Sequence, residues 1–358
     1  MSDDVRNRSG VGSYYQDLVE HLRGRLAHVE LFCPSMSDGN PYQTFHLPLP
    51  SDPTRKLFFP NCQKIYEKLR QINPHVIAVA TPGPFGLYGL ILSKWGRVRL
   101  CYGYHVQYNK LVELYWNRLV GRVSSTFMSW IDKRFFQASA MVVANSAYMV
   151  ESARKAGAQK VCLVGTPIAK HFMKTPTTSS SPKVETVIYA GRLTTEKNIE
   201  ATLKVMEHLP HLKFIIAGDG PLKNVVKEYS TNYHNLEYLG WLSRENLISA
   251  IDRSDLLILP SRRDSFGTIA LEAMARKKLV LVSNQCGIAS WPSLTKGIFL
   301  IENGESLTEA ILRVTRLSIQ KRESSADRAR KIAQTLNAQT INQWLNIFYE
   351  IVHHPLPE

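Results

Sequence analysis

Long apolar runs are absent from this chain: none reaches the roughly 20 residues that a bilayer-spanning helix requires. No secretory leader opens the sequence as given. Cysteine is scarce and odd in number. Cys33, Cys62, Cys101, Cys162 and Cys286 are scattered, and no two stand as Cys-x-x-Cys. That argues against a disulfide framework, and the five read as reduced, mostly buried thiols of a cytosolic protein. Also missing are an Arg/Lys block, zinc-finger spacing and an aromatic-glycine RNA motif, so nucleic acid is not an expected partner. Acidic residues are the minority charge, 30 against 44 basic ones, for a net charge of +14. That excess permits attraction to an anionic membrane face or to acidic substrates. A solvated basic surface with no partner gives the same number.

What is present suits two α/β domains of ordinary size. The chain has 358 residues, 44% apolar and 21% charged, which are globular values. Strand-like runs at 29–33, 76–80, 98–103 and 141–144 alternate with helical stretches. The alternation is cleaner later, with strands expected at 186–190, 213–217, 236–239, 256–259 and 279–283. Strands alternating with helices predict a parallel, doubly wound sheet in each half. A Ser/Thr/Pro-rich stretch, 174–184, reads as the linker. The spans expected are 1–173, 185–335, and a last helical segment, 336–358.

The densest signal is Asp264-Ser-Phe-Gly-Thr-Ile-Ala-Leu-Glu-Ala-Met-Ala275. Two acids at this spacing mean little alone, since about 8% of positions are acidic (30 of 358). Their context is what counts. Leu256-Leu-Ile-Leu-Pro260 reads as a buried strand, 261–265 as a polar loop, and the residues after Gly267 as a helix. The first-turn amides of such a helix point into the crevice at the strand's carboxyl end, where anions bind. Glu272 lies little more than one turn in, and its side chain leans back toward the same ligand. An acid for sugar hydroxyls, amides for phosphate and an acid for a ribose describe a nucleotide-sugar site.

This segment resembles the two-acid motif of the retaining glycosyltransferases of family four, which have the GT-B fold: two Rossmann-like, doubly wound parallel-sheet domains facing a cleft. Val187-Ile-Tyr-Ala-Gly-Arg-Leu193 followed by Glu196-Lys197-Asn198 is similar to the family's Gly-Arg-Leu–Lys signature. Phe214-Ile-Ile-Ala-Gly-Asp-Gly-Pro221 resembles its next strand and turn, and Leu239-Gly-Trp-Leu-Ser243 the strand leading to its base pocket. In the first half, Ser9-Gly-Val-Gly12 looks like its glycine loop, Tyr104-His105 like its His motif, and Val143-Ala-Asn-Ser146 is also similar.

The resemblance implies roles. Arg192 and Lys197 would stabilise a diphosphate leaving group, where fixed cations favour the transition state. Gly10, Gly12, Gly191, Gly218, Ser265, Phe266, Gly267, Thr268 and Glu272 would hold the donor, with Asp264 on its sugar. His105 would lie by the donor sugar and the acceptor. The leaving phosphate oxygen serves as base, so no side-chain nucleophile is needed, and no Asp-x-Asp motif is present. Metal independence, no cofactor and a nucleotide diphosphate sugar as donor, UDP-sugar first, are the expectations. Taken without the motif, a basic residue near a helix start, a Gly-x-Gly turn and a core histidine all have ordinary structural explanations.

The acceptor is less legible. From 111 to 136 the chain is rich in aromatics, among them Trp116, Phe127, Trp130, Phe135 and Phe136, with Lys110, Arg118, Arg122, Lys133 and Arg134 interleaved. A stripe of this kind is more often core, yet a basic amphipathic helix can lie on a bilayer. With the net charge and the His context, it favours a lipid acceptor contacted through Trp116, Arg118 and Arg122. The protein would then be cytoplasmic, at the membrane's inner face. Transfer to a soluble sugar, a non-catalytic relic of the fold and a nucleotide-sugar isomerase remain open alternatives. Three departures from the family pattern stand out. Asp264 replaces the usual Glu, and Gly165-Thr-Pro-Ile168 replaces an Asn-Gly turn. The polar segment 1–9 stands where an apolar first strand is expected, so that central strand is either missing or replaced by another segment.

Overall fold

The computed structural model describes the chain except residues 6–8, 37–38, 50–51, 109–117, 177–182 and 354–358, and the side chains of 49, 52–55 and 118–121. The chain divides into two compact units, one holding Met1–Pro167 and Gln339–Glu358, the other Ile168–Ala338. Each is a parallel sheet covered by helices, as the alternating pattern predicts.

The first unit has a feature that periodicity does not announce, an antiparallel hairpin of β1 (Gln43–Leu49) and β2 (Asp52–Pro60). Its sheet follows in sequential order: β3 (Val76–Val79), β4 (Arg99–Gly103), β5 (Ser139–Ala144) and β6 (Val161–Leu163), all parallel. Crossovers in one direction place the connecting helices on one face. There Val79, Leu100, Tyr102 and Val142 meet Phe85, Leu90, Ile131, Phe135, Phe136 and Met149. The alternate strand residues Cys101, Met141 and Val143 face the other way. They pack on Tyr14, Tyr15 and Leu18 of helix Gly10–Leu22 and on Ile341, Trp344 and Ile347 of the last helix. That last helix is one element, Ile319–His353, so the segment expected from 336 is its second half.

No first strand stands among the described residues, as expected, but its place is partly filled. No strand precedes β1 among the described residues, and 29–33 is not one either. Even so, Met1 and Ser2 are buried. The amide of Ala80 donates to the Met1 carbonyl at 2.8 Å and that of Ser2 to the Phe32 carbonyl at 3.0 Å, while the Met1 amine donates to the Ala78 carbonyl. Two residues thus bridge β3 to residues 31–33, where a central strand would run. The Asp3 carboxylate then accepts from the amides of Gly83 at 3.0 Å and Phe85 at 2.6 Å, at the start of helix Pro84–Gly96. A stub of two residues is too short to show a hydrophobic period.

The second unit has six parallel strands in the order β12-β11-β10-β7-β8-β9. They are β7 (Thr186–Ala190), β8 (Lys213–Ala217), β9 (Leu236–Gly240), β10 (Leu256–Leu259), β11 (Leu279–Val282) and β12 (Phe299–Leu300). The chain builds outward from β7 to β9, then returns to the other side of β7 with β10. β7 and β10 are therefore neighbours whose connections leave in opposite directions. Such a switch point opens a crevice at the strands' carboxyl ends, the usual ligand site of a doubly wound sheet. Among the described residues no helix is long and apolar enough to cross a membrane, and no disulfide joins the five cysteines.

Candidate functional site

The loops leaving β7 and β10 meet at that switch point. Lys197 Nζ lies 2.7 Å from Asp264 Oδ2, both side chains largely shielded at 20% and 15% exposure. The main chain fixes the pairing. The amides of Arg262 and Arg263 donate to the Glu196 carbonyl at 2.9 and 3.3 Å, and the Asn198 side-chain amide donates to the Pro260 carbonyl at 3.1 Å. Asn198 itself is left-handed, at φ 57°. Arg192 is half-buried, and its carbonyl accepts the Tyr189 hydroxyl at 2.7 Å. Gly191 and Gly218 face each other: a Cβ on Gly218 would sit 1.8 Å from the Gly191 carbonyl oxygen, and its φ of 147° also disfavours side chains. Only glycine lets the loops after β7 and β8 approach this closely.

The acid-bearing loop is held from its other side. Asp264 and Phe266 carbonyls accept from Gly287 at 2.9 Å and Ile288 at 2.7 Å, and the Asp264 carboxylate accepts from the Phe266 amide at 3.3 Å. Phe266 is buried, while Ser265 and Thr268 are half-buried. Gly267, at φ 91°, starts helix Thr268–Ala275 with no side-chain cap, so its first-turn amides suit an anion. Glu272 is buried, and burial holds its carboxyl above the usual range against the pull of Arg244, whose guanidinium is 2.8 Å from Oε1. Arg244 escaped the sequence reading. The one signal for it was its place just after the Leu239–Ser243 motif.

In the first unit, Ser9 Oγ accepts the Gly12 amide at 3.0 Å and caps helix Gly10–Leu22. Gly10 is exposed. Gly12 is buried, and a Cβ there would lie 2.4 Å from the Val5 carbonyl oxygen. His105 is buried just past β4. Its Nε2 is 3.0 Å from the Tyr15 hydroxyl, its ring is 4.4 Å from that of Tyr14, and its Nδ1 has no hydrogen-bond partner among the described residues. Burial pushes its pKa down to about 3, so the ring is neutral at physiological pH. Trp116 lies outside the described residues, Arg118 begins helix Arg118–Ala138 with its side chain outside them, and Arg122 is exposed.

Two protein-family models match, Glycosyltransferase Family 4 over residues 8–169 and Glycosyl transferases group 1 over 175–332. The chain belongs to the family-four glycosyltransferases. Sucrose-phosphate synthase from Thermosynechococcus elongatus superposes at a TM-score of 0.72 with 16% identity, covering 98% of this chain and 95% of that one. An Anabaena protein, HepE, solved with UDP and glucose, superposes at 0.63 with 20% identity, covering 81% and 80%. These likenesses establish the GT-B fold. Among sequence relatives, a sulfoquinovosyl transferase of Arabidopsis thaliana is 24% identical over 244 residues, 63% of this chain and 46% of its own. An alpha-monoglucosyldiacylglycerol synthase of Streptococcus pneumoniae is 23% identical over 294 residues, 75% and 66%. The chain thus spans less than half the length of the first of these relatives.

The chain carries its expected second-unit residues on the loops and helix that follow the carboxyl ends of β7, β8 and β10. Its aromatic stripe divides. Ile131, Phe135 and Phe136 are core, while Val123, Phe127 and Trp130 are 65%, 53% and 52% exposed on the same helix. Phe127 and Trp130 stack, and Arg134 lies 5.1 Å over the Trp130 ring.

Proposed function

We propose that this glycosyltransferase moves a hexose, with retention, from a UDP-sugar to a hydroxyl of a membrane lipid. The observation that carries the reading is the set of Lys197, Asp264 and Glu272 gathered at the switch point of the second unit beside an uncapped helix start. On this reading Arg192 and Lys197 meet the diphosphate. Asp264 binds sugar hydroxyls, and Glu272 binds the ribose. Gly191, Gly218, Ser265, Phe266, Gly267 and Thr268 shape the donor bed. The acceptor oxygen bonds to the anomeric carbon on the face that the phosphate leaves. The carbon–phosphate-oxygen bond breaks, and the acceptor proton passes to a phosphate oxygen. Without ligand, Lys197 is held by Asp264; a diphosphate would share it. Gly10, Gly12 and His105 serve the substrates from the first unit. A substrate hydroxyl would satisfy His105 Nδ1, which otherwise pays the full cost of a buried unpaired group.

The lipid acceptor is supported by the exposed apolar-basic face of helix Arg118–Ala138 and by the name of the streptococcal relative. The test is mass spectrometry of products formed from a panel of nucleotide sugars and a membrane extract. A hexosylated lipid made from a UDP-sugar is expected, unaffected by a chelator because cationic side chains and helix amides supply the charge. Products found only on water-soluble sugars would replace the acceptor. Loss of activity with chelator, restored by magnesium or manganese, would reject the metal-free mechanism.

A further inference from the structure

We infer that Arg244 is a positioning residue that holds the Glu272 carboxylate ready for the ribose of the donor, an inference that rests on the donor reading above. The geometry is specific. Arg244 opens helix Arg244–Asp252, whose cap is the Ser243 side chain accepting from the Asn246 amide. Its guanidinium reaches Glu272 Oε1 at 2.8 Å, with side-chain exposures of 11% and 7%. The same guanidinium lies 5.4 Å over the Phe172 ring, a contact that favours the cation. Burial disfavours the charged form of a carboxyl, and a partner charge opposes that. With Oε1 engaged by Arg244, Oε2 is the oxygen left for ribose hydroxyls. The pair also ties the element after β9 to the acid helix, so the segment that by resemblance faces the base is coupled to the residue for the sugar ring.

Among the described residues, no other charged group on the elements packed around Glu272 takes this place. Helix Thr268–Ala275 has no second charged residue, and β10 and β11 have none. The short helix Lys170–Met173 against it brings an exposed Lys170 and a half-buried His171. Arg276, next in the chain, donates from Nε and Nη2 to the Asp252 carboxylate and from Nη1 to the Lys174 carbonyl. Arg244 opposes the effect of burial on Glu272, and removing it moves the carboxyl further toward its neutral form.

The test compares UDP with 2′,3′-dideoxy-UDP by titration calorimetry between pH 5.5 and 8.5. The wild type is expected to prefer UDP by roughly 10- to 100-fold, the worth of hydrogen bonds to a charged group, with little change across this range. Arg244→Gln should lose that preference at the acid end and regain it as pH rises and Glu272 ionises. Arg244→Lys, a point charge without the fork, should show a smaller loss with the same pH dependence, and it carries the test if Arg244→Gln does not fold. Glu272→Gln should abolish the preference at every pH, with Arg244→Gln adding nothing further. A wild-type preference at all pH values in Arg244→Gln and Arg244→Lys would overturn the inference. Equal binding of the two nucleotides by the wild type would instead show that Glu272 does not read the ribose, and the inference would fall with that assignment.

Discussion

Two residues that the motif treats separately, Lys197 and Asp264, are ion-paired at 2.7 Å. Their contributions should therefore not add. Lys197→Ala is expected to slow transfer about 100- to 1000-fold, as for loss of a preorganised electrostatic contact, with little change in the melting curve. Asp264→Asn should lower use of the sugar nucleotide while sparing binding of UDP. In the double variant the losses should be less than their product, by an interaction of about 0.5–3 kcal/mol. Full additivity in kcat/KM would mean that the pair does not form in the working enzyme. His105 shows what sequence alone leaves undecided. Its place at the end of β4 was legible, but its burial against Tyr14 and Tyr15 depends on helix Gly10–Leu22, far away in the chain. Its depressed pKa has a consequence for stability. Below about pH 6.5 the unfolded chain takes up a proton that the native ring refuses. Stability is thus complete above pH 6.5 and falls by about 1.4 kcal/mol per unit as pH drops toward 3. Urea unfolding of wild type and His105→Phe from pH 7 to 4 isolates this term. The slope difference between them is the readout, and parallel pH profiles would show that His105 protonates freely in the fold.

At the scale of elements, five of the six strands of the second unit were readable because a buried parallel strand is an unbroken apolar run, as in the four buried residues of β10, whereas two-residue β12 is too short to show one. The helix starts were readable from glycines and polar loops. The hairpin β1–β2 was not: His46, Pro48 and Pro60 break the strand pattern, and its stability comes from pairing and from packing such as buried Phe58. The first-strand stub was hidden for the opposite reason, since its hydrogen bonds come from the main chain of only two residues. Loop geometry at the site is more demanding than the motif suggests. Gly218→Ala should cost roughly 1–3 kcal/mol from its backbone conformation, and more from the clash with the Gly191 carbonyl. Because that clash separates the loops after β7 and β8, kcat/KM should fall along with the denaturation midpoint. An alanine variant with wild-type kinetics would show that the close approach is not needed for transfer.

For the whole molecule, charge and exposed apolar surface are distributed in a way that bears on the acceptor. The net charge of +14 is a property of the full chain, but among the described residues twelve of the fourteen exposed large hydrophobic side chains belong to the first unit. They include Val123, Phe127 and Trp130 on helix Arg118–Ala138, and Ile91 and Trp95 on helix Pro84–Gly96, with Trp95 at 79% exposure. These two helices belong to the layer on one face of the first-unit sheet, and exposed Lys94, Arg97, Arg122, Lys133 and Arg134 accompany them. Aromatic side chains flanked by basic ones suit the interface of an anionic bilayer, where rings sit at headgroup depth and each nearby cation adds about 1 kcal/mol. The protein is therefore expected to sediment with anionic liposomes at low salt and to release as salt rises, since surface attraction is screened within about 8 Å at physiological ionic strength. Neutral liposomes should bind weakly. Arg122→Ala should reduce partitioning about fivefold, and Phe127→Ser with Trp130→Ser should release most of the protein even at low salt. Neither change should reduce transfer to a soluble acceptor analogue, because the altered side chains face outward from the core residues Ile131 and Phe135. Failure of the wild type to sediment with anionic liposomes at low salt would turn the acceptor proposal toward a water-soluble sugar.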